Sequence, residues 1–215
     1  MQKELKVLLF NGSPNKNGST NRVLEEIEAT LNKEGISTCI YHVGTDAITS
    51  CKACGACSKI GKCVINDNVN EFVDLAKDYD GFIIGSPVHY ASSSGATVAF
   101  LDRAFFSASR SGRKEIFSHK PGAAIAVARR AGTTATIDQL NKYFTINQMI
   151  LVSGRYWNMV HGRNANDVVQ DLEGMQNMRF LARNMAWTLK CIQAGASLGI
   201  KPPTQEEVIM TDYIR

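Results

Sequence analysis

The chain has 215 residues, 44% of them apolar, and a formal net charge of +4, enough apolar material for a full core in one domain or in one domain with a decorated edge. No run approaches the roughly 20 continuous apolar residues that span a bilayer and no apolar signal core follows residues 1–4, so a cytoplasmic protein without a membrane span is expected. The mild, scattered charge sets nucleic acid aside as a partner and suits ligands that carry phosphate.

Residues 6–10 (KVLLF) form an apolar strand without polar alternation, as expected of a strand covered on both faces. The strand runs into a polar loop, and from Ser19 the period becomes helical, with Val23, Leu24, Ile27 and Leu31 on one stripe that ends near Gly35. Residues 36–43 return as a parallel neighbour, which makes a βαβ unit with the polar loop at the carboxyl end of its first strand. Residues 44–67 follow neither period and hold Cys51, Cys54, Cys57 and Cys63, so they form an excursion from the regular architecture. A helix is expected over 68–78 with Asp67 as its cap, a strand over 81–85 (GFIIG), a polar loop over 86–94, and then a helix with Val98, Leu101, Phe105 and Phe106 on one face. Asp102 and Arg103 read as a structural pair or a subunit contact, and Cys39 and Cys191 as small buried apolar residues.

Residues 123–128 (AAIAVA) form a fourth strand, 129–133 its exit loop, 134–144 a helix and 149–153 a fifth strand. Residues 154–166 read as irregular, with Tyr156, Trp157 and His161 among them. A long helix then begins near Asp171, with Leu172, Met175, Met178, Ala182, Met185 and Leu189 three and four residues apart. One domain over 1–199 and an extended tail over 200–215, opening with Pro202 and Pro203, complete the chain.

Five short strands separated by helices imply an open, doubly wound α/β sheet, because a barrel needs about eight repeats. Three polar loops, at 11–19, 86–94 and 129–133, leave carboxyl ends of strands and therefore share one rim. In the first, Gly12 and Gly18 are too far apart for a dinucleotide fingerprint, and Ser19 stands where a P-loop has lysine. A monophosphate cradle fits the loop, with Ser13, Asn15, Asn17, Ser19, Thr20 and Asn21 as donors and Lys16 free to face solvent. An ordinary turn and helix cap is the alternative.

These residues carry a resemblance. The chain is similar to the flavodoxin-like NADPH-dependent FMN reductase superfamily, and within it to the iron–sulfur flavoprotein branch. GSPNKNGST resembles the FMN phosphate loop, GSPVHYASSSG the loop along the isoalloxazine, and CKACGAC the cysteine insertion, here at 44–67. The resemblance implies a five-stranded parallel sheet of order 2-1-3-4-5, FMN as ligand, and a homodimer or homotetramer. It places Pro87, Val88, His89, Tyr90 and Ala91 against the flavin and Ala128, Arg129, Arg130 and Gly132 along its pyrimidine edge, although Ala131 departs from the family's more frequent double glycine. An arginine there can stabilise the charge that a reduced flavin gathers, and His89 can hydrogen-bond a ring carbonyl or a substrate. Chemistry is expected on FMN itself, with assistance from His89, Arg129 and Arg130.

Cys51-x2-Cys54-x2-Cys57-x5-Cys63 has the short repeat that a [4Fe–4S] cluster accepts, with Gly55 and Gly61 to let the chain wrap. Free or disulfide-forming thiols and tetrathiolate zinc are the alternatives. The leading function is an FMN-dependent NAD(P)H oxidoreductase that passes electrons to a quinone, a nitro or azo compound or another small acceptor. The rival is an iron–sulfur flavoprotein electron carrier or redox sensor that exchanges electrons with ferredoxin-like proteins.

Overall fold

Strand β1 (Lys6–Asn11) sorts its side chains by parity: Leu8 and Phe10 point into one apolar layer, Val7 and Leu9 into the other. A strand with two apolar faces must lie inside a sheet covered on both sides, and the computed structural model, which describes residues 3–211, places it there. Helix α1 (Ser19–Lys33) follows, then β2 (Ser37–His42), α2 (Cys57–Ile60), α3 (Asn68–Ala76), β3 (Gly81–His89), β4 (Ser92–Ser93) and α4 (Gly95–Arg110). The second half comprises β5 (Pro121–Ala128), α5 (Thr133–Ile146), β6 (Ile150–Leu151), β7 (Met159–His161), α6 (Ala165–Val168) and α7 (Leu172–Ser197).

The sheet runs β2-β1-β3-β5-β6, with parallel pairing along that path. This is the expected order 2-1-3-4-5 once the short β4 hairpin strand is set aside. One face packs on α1 and α7 through Val23, Leu24, Ile27, Met178 and Met185; the other packs on α3, α4 and α5 through Phe72, Phe100, Phe105 and Phe144. Phe10 meets Phe72 edge-on at 5.6 Å and Phe100 at 4.8 Å between ring centres, which locks β1 to α3 and α4.

The third strand does not stop at residue 85; it extends through His89 and pairs antiparallel with β4 (Val88 with Ser93), so half of the expected loop is a hairpin. The segment at 154–166 is not irregular throughout, because β7 continues the fifth strand, aligned on Ala126–Ala128 of β5, and α6 follows it. The break between β6 and β7 has a local cause. Asn177 of α7 accepts from the Arg155 and Tyr156 amides at 2.7 and 2.9 Å and donates to the Tyr156 and Trp157 carbonyls, holding the backbone out of the ladder. Phe106 and Leu172 are 42% and 75% exposed and lie off the apolar faces assigned to them; Cys191 is exposed and Cys39 only partly buried. Asp102 and Arg103 do not pair: Asp102 accepts from the Tyr143 hydroxyl, and Arg103 turns to Asp67. Residues 200–211 of the tail have no regular structure and are exposed, and 212–215 lie outside the described residues. No helix among the described residues is long and apolar enough to cross a membrane.

Gly12 joins the strand end to its surroundings. Its N–H donates to Gly85 O at 2.8 Å, and its carbonyl accepts from Ser94 Oγ and Thr97 Oγ1 at 3.1 and 3.0 Å. A Cβ there would stand 2.0 Å from Thr97 Oγ1 and 2.9 Å from Gly85 O. Gly12→Ala should therefore cost about 1–3 kcal/mol, the ordinary range for overpacking. Denaturant unfolding of the variant tests this, and an unchanged midpoint would contradict the close approach.

Candidate functional site

The loop after β1 is tied by its own short polar side chains. The Ser13 amide donates to Asn11 Oδ1 (3.1 Å), the Asn15 amide to Ser13 Oγ (3.1 Å) and the Asn17 amide to Asn15 Oδ1 (3.2 Å), while His42 Nε2 at the end of β2 lies 2.8 Å from Ser13 O. Local bonds of this kind hold a turn that neither helix nor sheet would impose. Gly18 occupies the N-cap position of α1 with extended backbone and supplies no side-chain cap, and the first turn has no acidic residue. The N–H groups of Ser19, Thr20 and Asn21 have no intrahelical acceptor. They point their dipoles at one place, where an anion gains about 0.3–1 kcal/mol from the helix.

That place is one end of a cavity of about 640 Å³. Its walls bring together Ser13, Asn15, Asn17, Ser19 and Thr20 from the first loop, Pro87, Val88 and His89 from the end of β3, and Ala128 and Arg129 from the end of β5. The parallel register explains the meeting, because β1, β3 and β5 end on the same rim. The Asn21 side chain does not join them; its Oδ1 accepts from Asn11 and its Nδ2 donates to Glu25. Tyr90, Ala91, Arg130 and Gly132 also stand outside the wall.

Gly132 instead supports the β3–β4 hairpin: at φ +95° a Cβ would lie 2.4 Å from Ala91 Cα. The hairpin itself is held in left-handed backbone at Tyr90 (φ +51°) and Ala91 (φ +59°), with the Tyr90 ring wholly in solvent. Beneath it Ser86 Oγ accepts from Ser93 Oγ and from the Ser94 amide, and Gln139 Oε1 accepts from Ser92 Oγ and the Ser93 amide. This polar footing holds the hairpin that carries His89 at the exposed rim.

A fourth segment, residues 162–166, closes the cavity beside the first loop and adds Arg163, Asn164 and Asn166. Sequence periodicity did not reveal it, because β7 has only three residues. The available signal was Asn164 before a helical run: it caps α6 by accepting from the Asn166 and Asp167 amides. Tyr156 and Trp157 do not line this cavity; they border a separate groove next to Ile137 and Asn141. The His161 amide donates to Asp171 Oδ2, and its ring Nδ1 lies 3.6 Å from the same oxygen.

The cysteine excursion folds onto α4. Cys51, Cys54, Cys57 and Cys63 all line one small cavity of about 30 Å³, closed by Arg103 and Phe106. Left-handed backbone at Ala53, Gly55 and Gly61 lets the chain wrap around it. Among the described residues no three His, Cys, Asp or Glu side chains converge on a single ion. Four cysteines bordering one cavity match the ligand set of a cubane in kind and number, whereas the cavity as it stands admits only a water or two, so the loop must open to take such a group. Asn70 pins the loop: it accepts from the Cys63 amide at 3.1 Å and donates to the Cys63 and Ile65 carbonyls at 2.9 and 3.1 Å.

Arg103 is the second brace, and adjacency in the sequence concealed its role. Its side chain is fully buried, forks onto Asp67 at 2.6 and 2.8 Å, reaches the Thr49 and Ile65 carbonyls, and puts Nε 3.4 Å from Cys63 Sγ. Burial works against its charge, but the hydrogen bonds and charges of Asp67 and Cys63 outweigh that effect, and its pKa is raised. Asp67 also caps α3 through the Val69 amide, as expected from the sequence.

Residues 5–164 match the family model described as NADPH-dependent FMN reductase. An iron–sulfur flavoprotein of Methanocaldococcus jannaschii is 31% identical over 197 residues, 88% of this chain and 100% of that protein. An iron–sulfur flavoprotein of Methanosarcina thermophila is 27% identical over 193 residues, 88% of this chain and 97% of that protein. Among solved structures, a flavodoxin from the domain Archaea superposes with a TM-score of 0.58 at 13% identity, covering 86% of this chain and 99% of the other, a likeness of fold.

The exposed, left-handed Tyr90 yields a prediction independent of any ligand. Its ring makes no packing contribution and its backbone conformation favours glycine, so Tyr90→Gly should leave the melting temperature unchanged or slightly raised. A fall of several degrees would mean that the tyrosine supports the hairpin.

Proposed function

Because the chain belongs to the NADPH-dependent FMN reductase family, in its iron–sulfur flavoprotein branch, we propose that it is an FMN- and NAD(P)H-linked oxidoreductase whose cysteine loop carries a [4Fe–4S] cluster and exchanges electrons with a ferredoxin-like protein. The observation that carries this reading is an uncapped helix N-terminus opening onto a cavity that three strand-end loops share. The cavity volume, about 640 Å³, lies within the range of cofactor sites.

The residues fit FMN. The α1 amides, with the Ser13, Ser19 and Thr20 hydroxyls, take the phosphate. Pro87 and Val88 offer the ring an apolar wall, and Arg129 brings positive charge to its edge. Arg163 and Asn164 border the cavity beside the first loop. When bound, FMN supplies the exchange between hydride, which moves two electrons, and one-electron carriers. His89, exposed at the rim, is placed to orient an incoming nicotinamide or substrate.

The four thiols facing one cavity support the carrier reading, since a site for one-electron exchange has little use in an enzyme that deals only in hydride. The exposure of His89 at the rim favours a second reading for the same site, turnover of a quinone, nitro or azo compound. The exposed apolar side chains beside Cys51, those of Phe106 and Ile146, support a homodimer or homotetramer. A cytoplasmic setting, where thiols are kept reduced, suits a loop with four closely spaced cysteines.

Anaerobic purification followed by iron and sulfide analysis tests the cluster, with four of each per chain expected; flavin without iron would leave only the small-acceptor reading. For the phosphate seat, the double variant Ser13→Ala, Thr20→Ala removes two hydrogen bonds to a charged group, each worth about 1.5–3 kcal/mol. FMN affinity should fall at least about tenfold in fluorescence titration. Unchanged affinity would contradict the assignment.

A further inference from the structure

We infer that Arg103 is a positioning residue for the electron held at the cysteine loop: its Nε edge, aimed at Cys63, raises the reduction potential of the cluster, and Asp67 moderates that effect. The inference rests on the cluster reading above.

A fully buried guanidinium is rare in a protein interior. This one has a directed arrangement. Both terminal nitrogens face Asp67, which holds them in a bidentate fork at 2.6 and 2.8 Å, and only Nε is turned to the sulfur, at 3.4 Å. The ion pair is therefore a dipole with its positive end on Cys63 and its negative end on the far side. Asp67 is partly exposed, with 27% of its side-chain surface in solvent, whereas the Arg103 side chain has none. Water therefore screens the carboxylate more than the cation, and the sulfur senses a net positive field.

Two effects follow for an electron added at the loop. An N–H directed at a ligand sulfur withdraws charge from it, and a nearby cation favours the more negative state; both raise the potential. Such an electron comes singly from a one-electron donor, with no proton taken up and no bond made. A purely structural arginine would hold the loop equally well with its charge balanced in any orientation. The fork on Asp67 and the single edge on Cys63 give it a polarity, and polarity predicts opposite signs for the two partners.

The test is an anaerobic titration with dithionite, followed by visible absorption and electron paramagnetic resonance, on the whole protein loaded with FMN and reconstituted with iron and sulfide. Arg103→Met, which keeps length and apolar stem but loses charge and donor, should lower the potential of the cluster. The reduced-to-oxidised ratio at a fixed solution potential should fall at least tenfold, about 59 mV for one electron. Asp67→Asn, which keeps an acceptor for the fork but removes the counter-charge, should shift it upward. Arg103→Lys should recover part of the loss. Should Arg103→Met not fold or not hold its cluster, Asp67→Asn decides alone, by the direction of its shift. A cluster present in these proteins at an unmoved potential, or with both variants moving the same way, would overturn this inference and leave the cluster reading standing. Wild-type protein that takes up no iron and sulfide would overturn both.

Discussion

The structure depends on a helix that begins without a cap of its own. At most helix starts a Ser, Thr, Asp or Asn side chain accepts from the first amides, as Asp67, Ser94, Asn164 and Asp171 do here for α3, α4, α6 and α7. At α1 the position belongs to Gly18, and the amides of the first turn open onto a cavity. The residues around that start are spent on holding the loop still rather than on closing the helix: Asn11, Ser13 and Asn15 each satisfy a backbone amide within the loop. The result is a set of donors fixed in advance, so that an anion arriving there meets little reorganisation. The remaining walls follow from parallel strands that end together, and the depth of the cavity follows from β7, which carries residues 162–166 alongside the first loop.

A second constraint governs the cysteine loop. Residues 44–67 contribute little to either apolar layer, so their shape is set by polar bonds from neighbouring helices: Asn70 from α3 and Arg103 from α4. The Arg103 guanidinium, buried and forked on the partly exposed Asp67, is both a fastener of the loop and a fixed charge beside its thiols. Structure and electrostatics are thus coupled through one side chain. The two sites answer to different physics, one a cradle of backbone amides and short polar side chains flanked by Arg129 and Arg163, the other a thiol cavity with a buried, oriented guanidinium.

Much of this was legible in the chain. The unbroken apolar run of KVLLF signalled a strand with two covered faces, the change of period at Ser19 marked α1, and the polar residues between them marked the loop that lines the cavity. The cap at Asp67 and the start of α7 at Asp171 were readable from residue type. Other features had no local signal. The tie of Arg103 to Asp67 spans 36 positions, and its neighbour Asp102 offered a nearer and misleading partner. The three-residue β7 is too short to show alternation, and the break before it is imposed by Asn177 from a different helix. Asn21 has the residue type of a phosphate donor, but Asn11 and Glu25 claim its amide. Gly132 reads as a loop glycine suited to a ligand, yet what it accommodates is the backbone of Ala91. In each case tertiary contact decided a role that composition left open.

The central claim is that a single phosphoryl group, held at the start of α1, anchors the flavin. Its most direct measurement compares FMN with riboflavin, which has the same ring and ribityl chain but no phosphate, by calorimetric titration into the flavin-free protein. The account predicts saturable FMN binding and riboflavin binding weaker by at least about a hundredfold, or roughly 2.7 kcal/mol. Equal affinity for the two, or no saturable binding of FMN at all, would contradict it.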